Sequence, residues 1–231
     1  MLGLFGDKVR HIIQLILSKK IMRTIFFIIL MIPLLSVAQN NDKEIMYKKG
    51  MDTKKHIPEG LEIGKSAPEI KTYSVEGKLI NSTNILKEKQ IVLIFYRGKW
   101  CPICNRYLSN LNDSLEYIIN ENAEIIVVGP ESFESAKKMS KKSDADYMLV
   151  PDTSLKILED YDVMFNVTKK YQGKIKTFLM TDIAQNNGQE EATLPVPATY
   201  IIGKDGVIKW RHFDYDYSVR ATAKEIIDNL K

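Results

Sequence analysis

The stretch IVLIFYRGKWCPIC at residues 91–104 decides the fold. Its first six residues are apolar and rich in β-branched side chains, which is typical of a strand buried on both faces of a sheet. Residues 97–100 turn the chain, and apolar side chains then recur at helical spacing from 102 to 120. A buried strand that leads through a turn into a helix indicates an α/β protein.

Elements on both sides of this stretch continue the alternation. Ser132 is expected to open one helix, and Thr153 or Ser154 to cap another. The pattern predicts a thioredoxin-like α/β fold over residues 61–231, in which a central mixed β-sheet is flanked by helices and carries an N-terminal hairpin extension. The other expected elements are that hairpin near 64–78, strands at 124–128, 147–150, 199–202 and 207–211, and a final helix from about Thr222 to Leu230.

Charge is distributed unevenly along the 231 residues. The formal net charge is +4, from 33 basic and 29 acidic residues. Five of the basic residues and one acidic residue lie in residues 1–38, which leaves 28 of each sign in the remainder. A neutral remainder lacks the basic footprint of a nucleic-acid-binding domain, so we expect no nucleic-acid partner.

The first 38 residues have the pattern of an export signal. A basic start at 22–24 precedes an apolar run at 25–35, and small residues follow at 36–38, where a signal peptidase cleaves. We therefore predict a signal peptide over residues 1–38, with Met22 as an alternative start, and an exported, periplasmic protein.

The alternative is an uncleaved membrane anchor. A span needs about 20 apolar residues, and Lys19, Lys20 and Arg23 stop the run from extending backwards. We expect no stable membrane span after cleavage. Residues 39–60 are polar and lysine-rich, which predicts a flexible lead-in to the domain.

The chain has only two cysteines, Cys101 and Cys104. A disulfide between them closes a loop of four residues and stabilises the fold by only about 2 kcal/mol in the chain-entropy model. A zinc site needs two more ligands, and neither His56 nor His212 has a paired ligand spacing. A redox-active dithiol is therefore favoured over a structural disulfide or a metal site.

The position of Cys101 at the start of a helix favours its thiolate. It faces unpaired backbone N–H groups and the positive end of the helix dipole, and Pro102 suits the first helical turn. We expect an exposed, ionisable Cys101 with Cys104 one turn further and more buried. Cationic side chains nearby add positive charge, namely Arg97, Lys99 and Arg106.

Segments 95–104, 64–68 and 194–206 resemble the AhpC/TSA redoxin family, the peroxiredoxin-like branch of the thioredoxin superfamily. The resemblance covers residues 61–231. It implies an antioxidant thiol oxidoreductase that cycles Cys101 and Cys104 between dithiol and disulfide. It further implies a hydroperoxide or protein-disulfide substrate, an external thiol reductant and no cofactor.

The resemblance also implies roles for supporting residues. Pro197 is the candidate for a cis-proline beside the dithiol, which would expose the backbone of Val196 to an extended partner chain. Trp100 belongs to the same thioredoxin-like device. Arg220 corresponds to the arginine with which peroxiredoxins hold the thiolate and polarise peroxide; the alternative is a surface arginine.

Departures from the related families leave the chemistry open. Phe95 and Tyr107 stand where thioredoxins and related proteins carry acidic residues, so no internal base is expected. In the peroxiredoxin register Arg97 replaces a proline, and Cys101 replaces a threonine three residues before the peroxide-reducing cysteine, Cys104.

Both chemistries fit one motif, and we favour hydroperoxide reduction over protein-disulfide reduction. A copper-delivery module that uses the cysteines and His212 is a minor alternative. Which cysteine attacks first, and whether residues 166–192 cover the site, stay open.

Overall fold

The central sheet positions the cysteines, and successive side chains of its strands pack into two apolar clusters in turn. In the computed structural model, residues 42–143 and 147–231 are described, with the side chains of 141–143 left aside. The predicted signal peptide at 1–38 lies outside these residues. Residues 45–231 form one compact unit. None of the helices within the described ranges has the length and apolar character needed to cross a membrane.

The elements follow in chain order. The strands are β1 Lys71–Tyr73, β2 Leu79–Asn81, β3 Gln90–Phe95, β4 Ala123–Gly129, β5 Met148–Pro151, β6 Met164–Asn166, β7 Thr193–Pro195, β8 Thr199–Ile202 and β9 Ile208–His212. Residues 42–48 are helical and are labelled α1. The remaining helices are α2 Ser82–Ile85, α3 Pro102–Asn112, α4 Leu115–Asn120, α5 Phe133–Ser143, α6 Lys156–Asp160, α7 Lys169–Leu179, α8 Ile183–Asn187 and α9 Ala223–Leu230.

The predicted mixed sheet and its hairpin extension are confirmed. Within the described residues the sheet order is β5-β4-β3-β8-β9, with β3 parallel to β4 and antiparallel to β8, and β1 pairs with β2 as a hairpin. Side chains of β3 alternate between the faces: Val92 and Ile94 pack with α3, α5 and α9, whereas Ile91 and Leu93 pack with α6. All four are fully buried, as a strand covered on both faces requires.

The helix predicted over 102–120 is interrupted. It is divided into α3 and α4 because Ser114 leaves helical geometry, with φ −121° and ψ 3°. Leu111 and Leu115 pack into the same cluster on either side of the break. The helical spacing of apolar residues continues across the break between α3 and α4, so the sequence pattern does not predict that break.

Neither Thr153 nor Ser154, the predicted caps, is the N-cap of α6. Leu155 is at the N-cap with φ 61° and no side-chain cap. The buried Asp152 instead accepts a hydrogen bond from the Leu158 N–H at 2.9 Å. Asp152 thus satisfies an N–H of the first turn that an N-cap side chain would otherwise satisfy.

The prediction of a flexible lead-in is wrong for residues 45–60. Met46 and Met51 are buried, and Met51 bridges to Val167. The Asp52 N–H donates to the Asn166 carbonyl at 2.8 Å. Two methionines in a lysine-rich stretch show no period, so only their distant partners reveal that they are core residues.

These residues join an additional layer over the cysteines, which we call the cover: residues 45–57, 164–196 and 213–217. Helix α7, from Lys169 to Leu179, belongs to the insertion whose role the sequence left open. Strands β6 and β7 pair and close the insertion at its base. The segments share one apolar cluster, against which Trp100 also packs.

Candidate active site

The two cysteines lie at the start of α3. Cys101 is the N-cap, Pro102 occupies the first turn, and the Cys104 N–H donates to the Cys101 sulfur at 3.4 Å. Both thiols are free, and their sulfur atoms are 2.7 Å apart. Cys101 is 2% exposed and Cys104 0%. The expectation of an exposed Cys101 is therefore wrong, because the sulfur turns into the core cluster instead of toward solvent.

The pKa shifts favour Cys104, not the expected Cys101, as the thiolate. The hydrogen bond to Cys104 and then burial raise the pKa of Cys101 above its usual range. Burial raises the pKa of Cys104 as well. The hydrogen bond from Cys101 and the charges of Arg220 and Arg97 outweigh that effect and lower the pKa of Cys104 to about 6. These shifts favour Cys104 over Cys101 as the thiolate.

Arg220 lies against the reactive sulfur. Its Nη2 donates to the Cys104 Sγ at 3.2 Å, and its Nε donates to the Tyr217 carbonyl at 2.8 Å. The guanidinium also stacks on the Tyr107 ring, 5.2 Å from the centroid. These contacts fix the guanidinium beside Cys104, where it is placed to stabilise a thiolate and an oxygen that gains charge.

Arg97 is a second cation at the site and is only 1% exposed. Its guanidinium carbon lies 4.0 Å from the Tyr217 ring centroid and 5.3 Å from those of Trp100 and Tyr171. Its Nη2 donates to the Tyr171 hydroxyl at 3.0 Å. The cover therefore buries the charged side chain of a residue that the sequence pattern places in a turn.

Glu131 is an acidic residue that the sequence analysis missed. It is fully buried and accepts hydrogen bonds from the Tyr96 hydroxyl at 2.5 Å and the Lys99 N–H at 2.7 Å. Burial raises its pKa. Its hydrogen bonds hold the turn that precedes Cys101. A charged residue two positions after the buried strand β4 was the available signal, although its partners Tyr96 and Lys99 lie over 30 residues away in the chain.

Pro197 does not have the expected geometry. All described peptide bonds are trans, including the one before Pro197. The Val196 N–H donates to the Val163 carbonyl at 2.7 Å, and the Val196 carbonyl accepts from the Ala198 N–H at 2.8 Å. Because Val163 and Ala198 already pair with this backbone, Val196 is not available to an extended partner chain. Trp100 is half-buried between the core cluster and the cover.

The copper alternative lacks a third ligand. No group of three or more His, Cys, Asp or Glu side chains that could hold a metal converges in the part of the chain that the structure describes. His212 lies at the end of β9, where its ring is 6.4 Å from that of Trp210. The structure does not bring it together with the cysteines.

A thioredoxin-like sheet that carries a thiol–thiolate pair at a helix start defines a thiol oxidoreductase. The sequence model of the AhpC/TSA family matches residues 63–211, and the chain belongs to that family. This confirms the resemblance seen in the motifs and supports thiol oxidoreductase activity.

Relatives represent both branches of the chemistry. Peroxiredoxin Bcp of Bacillus subtilis (strain 168) is 32% identical over 124 residues, which are 52% of this chain and 78% of that protein. Thiol-disulfide oxidoreductase ResA of Bacillus cereus is 31% identical over 106 residues, 46% of this chain and 60% of that protein.

Solved structures support the fold. Peroxidoxin BcpB of Mycobacterium tuberculosis superposes with a TM-score of 0.56 at 15% identity, over 76% of this chain and 97% of that one. At this identity the likeness shows a shared fold and no more.

Proposed function

We propose that the protein is a thiol-dependent hydroperoxide reductase in which Cys104 attacks the peroxide and Cys101 resolves the product. The observation that carries this proposal is the 3.2 Å hydrogen bond from Arg220 to the Cys104 sulfur, beside a thiol whose pKa is lowered to about 6. The charge that stabilises the thiolate also lies where a peroxide oxygen gains negative charge during attack.

The cycle has three steps. The Cys104 thiolate attacks one peroxide oxygen, the O–O bond breaks, and the leaving oxygen takes up a proton, which yields a sulfenic acid and an alcohol or water. The Cys101 thiol then attacks the sulfenic sulfur, forms the disulfide and releases water. Two external thiols reduce the disulfide and are themselves oxidised to a disulfide.

Burial favours a small substrate over a protein disulfide. The sulfur of Cys101, which a disulfide reductase uses as its attacking atom, is covered, and the Val196 backbone is already paired. The ResA relatives and the Trp-Cys-X-X-Cys motif favour disulfide reduction as the second candidate.

Cysteine variants separate the two candidates. We expect Cys101→Ser to consume one equivalent of hydroperoxide and to be labelled as a sulfenic acid at Cys104, whereas Cys104→Ser consumes none. The rate of this single turnover should rise with pH to a plateau as Cys104 deprotonates.

The opposite pattern would establish disulfide reduction. In that case Cys101→Ser ignores hydroperoxide, and Cys104→Ser traps a mixed disulfide on Cys101 with an oxidised protein substrate. The double variant is the matched control for both assays.

We further propose that the protein is exported to the periplasm, on the basis of the leader pattern at 1–38. The intact mass of exported protein should correspond to a chain that begins at Gln39, with allowance for its cyclisation. Recovery of only full-length protein, in membranes, would contradict this location.

A further inference from the structure

The turn before Cys101 contains a buried cation, Arg97, and no sequence pattern indicates that this side chain is buried. Arg97 follows β3 closely and is 1% exposed. Burial by itself lowers the pKa of Arg97, yet interactions with Tyr171, Cys101 and Cys104 outweigh burial and raise it. In the described residues no carboxylate is among the groups that raise it.

A buried charge requires an opposite charge or equivalent contacts. The rings of Trp100, Tyr171 and Tyr217 supply cation–π contacts, and the Tyr171 hydroxyl supplies one hydrogen bond. Among the described residues, the buried Arg97 Nε has no hydrogen-bond partner. The anionic group that acts on this guanidinium is therefore the thiolate of the cysteine pair.

Arg97 acts on the same sulfur as Arg220. The charges of both arginines lower the pKa of Cys104. The other titratable groups that face the sulfur are Cys101 and Tyr96. Tyr217 links the two guanidinium groups: Arg97 lies 4.0 Å from its ring centroid, and Arg220, which donates to the sulfur, also donates to its carbonyl.

We propose that Arg97 is a further positioning residue, whose buried charge holds Cys104 as the thiolate and favours the dithiol over the disulfide. The inference rests on the proposed role of Cys104 as the nucleophile. Disulfide formation removes the negative charge that Cys104 places beside Arg97, while the guanidinium stays buried. The disulfide is then the less favourable form, which makes it easier for an external thiol to reduce.

The first test is a titration of the reduced protein, followed by thiolate absorbance near 240 nm, which does not require reagent access to the buried sulfur. Removal of a neighbouring cation shifts a buried group by about 1–3 pH units. We expect Arg97→Met to raise the Cys104 midpoint from about 6 to about 7 or above. Arg97→Lys, which keeps the charge, should restore most of the difference.

Arg106→Met is the matched control. Arg106 lies on the same helix, two residues beyond Cys104, but its side chain is exposed, so solvent screens its charge. Its removal should leave the midpoint unchanged. If Arg97→Met does not fold, Arg97→Gln provides the same readout, because it also removes the charge.

The second test measures the dithiol–disulfide equilibrium against glutathione. We expect Arg97→Met to shift it about tenfold toward the disulfide, which is about 30 mV for a two-electron couple. Both readouts are independent of any substrate, so they stand even if hydroperoxide reduction fails. A charge-removing variant that folds and keeps both the wild-type midpoint and the wild-type equilibrium would overturn the proposal.

Discussion

The central sheet and the cover are built in opposite ways. Strands β3 and β4 pair over six consecutive residues, and their inward side chains are almost completely buried. The cover joins segments that lie more than 100 residues apart in the chain. An apolar cluster joins these segments, and polar contacts such as the ion pair between Lys49 and Asp216, at 2.5 Å, add to it.

The sheet affects the position of the cysteine sulfurs, whereas the cover affects their electrostatic environment. The sheet and the start of α3 place the cysteine sulfurs, because local hydrogen bonds determine where the chain turns. The cover contributes to the electrostatics, because Tyr171 and Tyr217 enclose Arg97, whose charge lowers the pKa of Cys104. Damage to the sheet should therefore unfold the protein, whereas damage to the cover should change the reactivity of a folded protein.

The largest expected effect on stability is in the sheet. Leu93→Ala removes a fully buried side chain and should lower the free energy of unfolding by about 2–5 kcal/mol, measured by urea denaturation. Ile175→Ala in the cover should lower it less and should instead accelerate amide hydrogen exchange within 164–196. Equal losses from both variants would show that the two regions unfold as one.

Arg220 lies where the two regions meet, since Tyr217 packs on the cover and Ala221 belongs to the core cluster. Arg220→Ala should slow hydroperoxide reduction by about 10²–10³-fold, the usual effect of losing one donor to a developing oxyanion. Disulfide exchange should change much less, because it develops no charge on oxygen. An equal loss in both assays would assign Arg220 to the thiolate alone.

Gly50 tests how tightly the cover closes. Its φ is +103°, and an added Cβ would lie 2.6 Å from the Tyr171 ring. Gly50→Ala should cost about 1–3 kcal/mol and displace the ring from Arg97. Gly173→Ala is the matched control, since α7 leaves open space there, and it should stabilise the helix by about 0.5–1 kcal/mol. Unaltered stability and thiolate titration in Gly50→Ala would contradict a closed cover.

The ion pair of Lys49 and Asp216 should have the smallest effect. Both side chains are partly exposed, so Asp216→Asn should cost less than about 1 kcal/mol. Burial raises the pKa of Asp216, but hydrogen bonds from Lys49 and Ser218 lower it to about 2. The folded value is below the unfolded one of about 3.9, so the contribution is present above about pH 4 and is lost as the pH falls toward about 2. Hydrogen exchange in the cover over this range should show the loss in wild type and not in the variant.

Sequence patterns located most of the sheet but only part of the site. The apolar run before Arg97, the hairpin strands β8 and β9, and the Thr222 cap of α9 follow from local residue types, and all are present. The pairing of Arg220 with Cys104 was suggested only through family resemblance. The helix-start argument favours Cys101 as the thiolate, whereas the contact of Arg220 with the other sulfur favours Cys104.

The sequence by itself determined the strand and helix alternation, the dithiol at a helix start and the family, since each depends on neighbours within a few turns. Only the tertiary structure decided that Arg97 is buried, that Glu131 holds the Lys99 backbone and that the peptide bond before Pro197 is trans. Those outcomes depend on single contacts between distant segments. Such contacts leave no periodic signal in the chain, although they set the charge around the reactive sulfur.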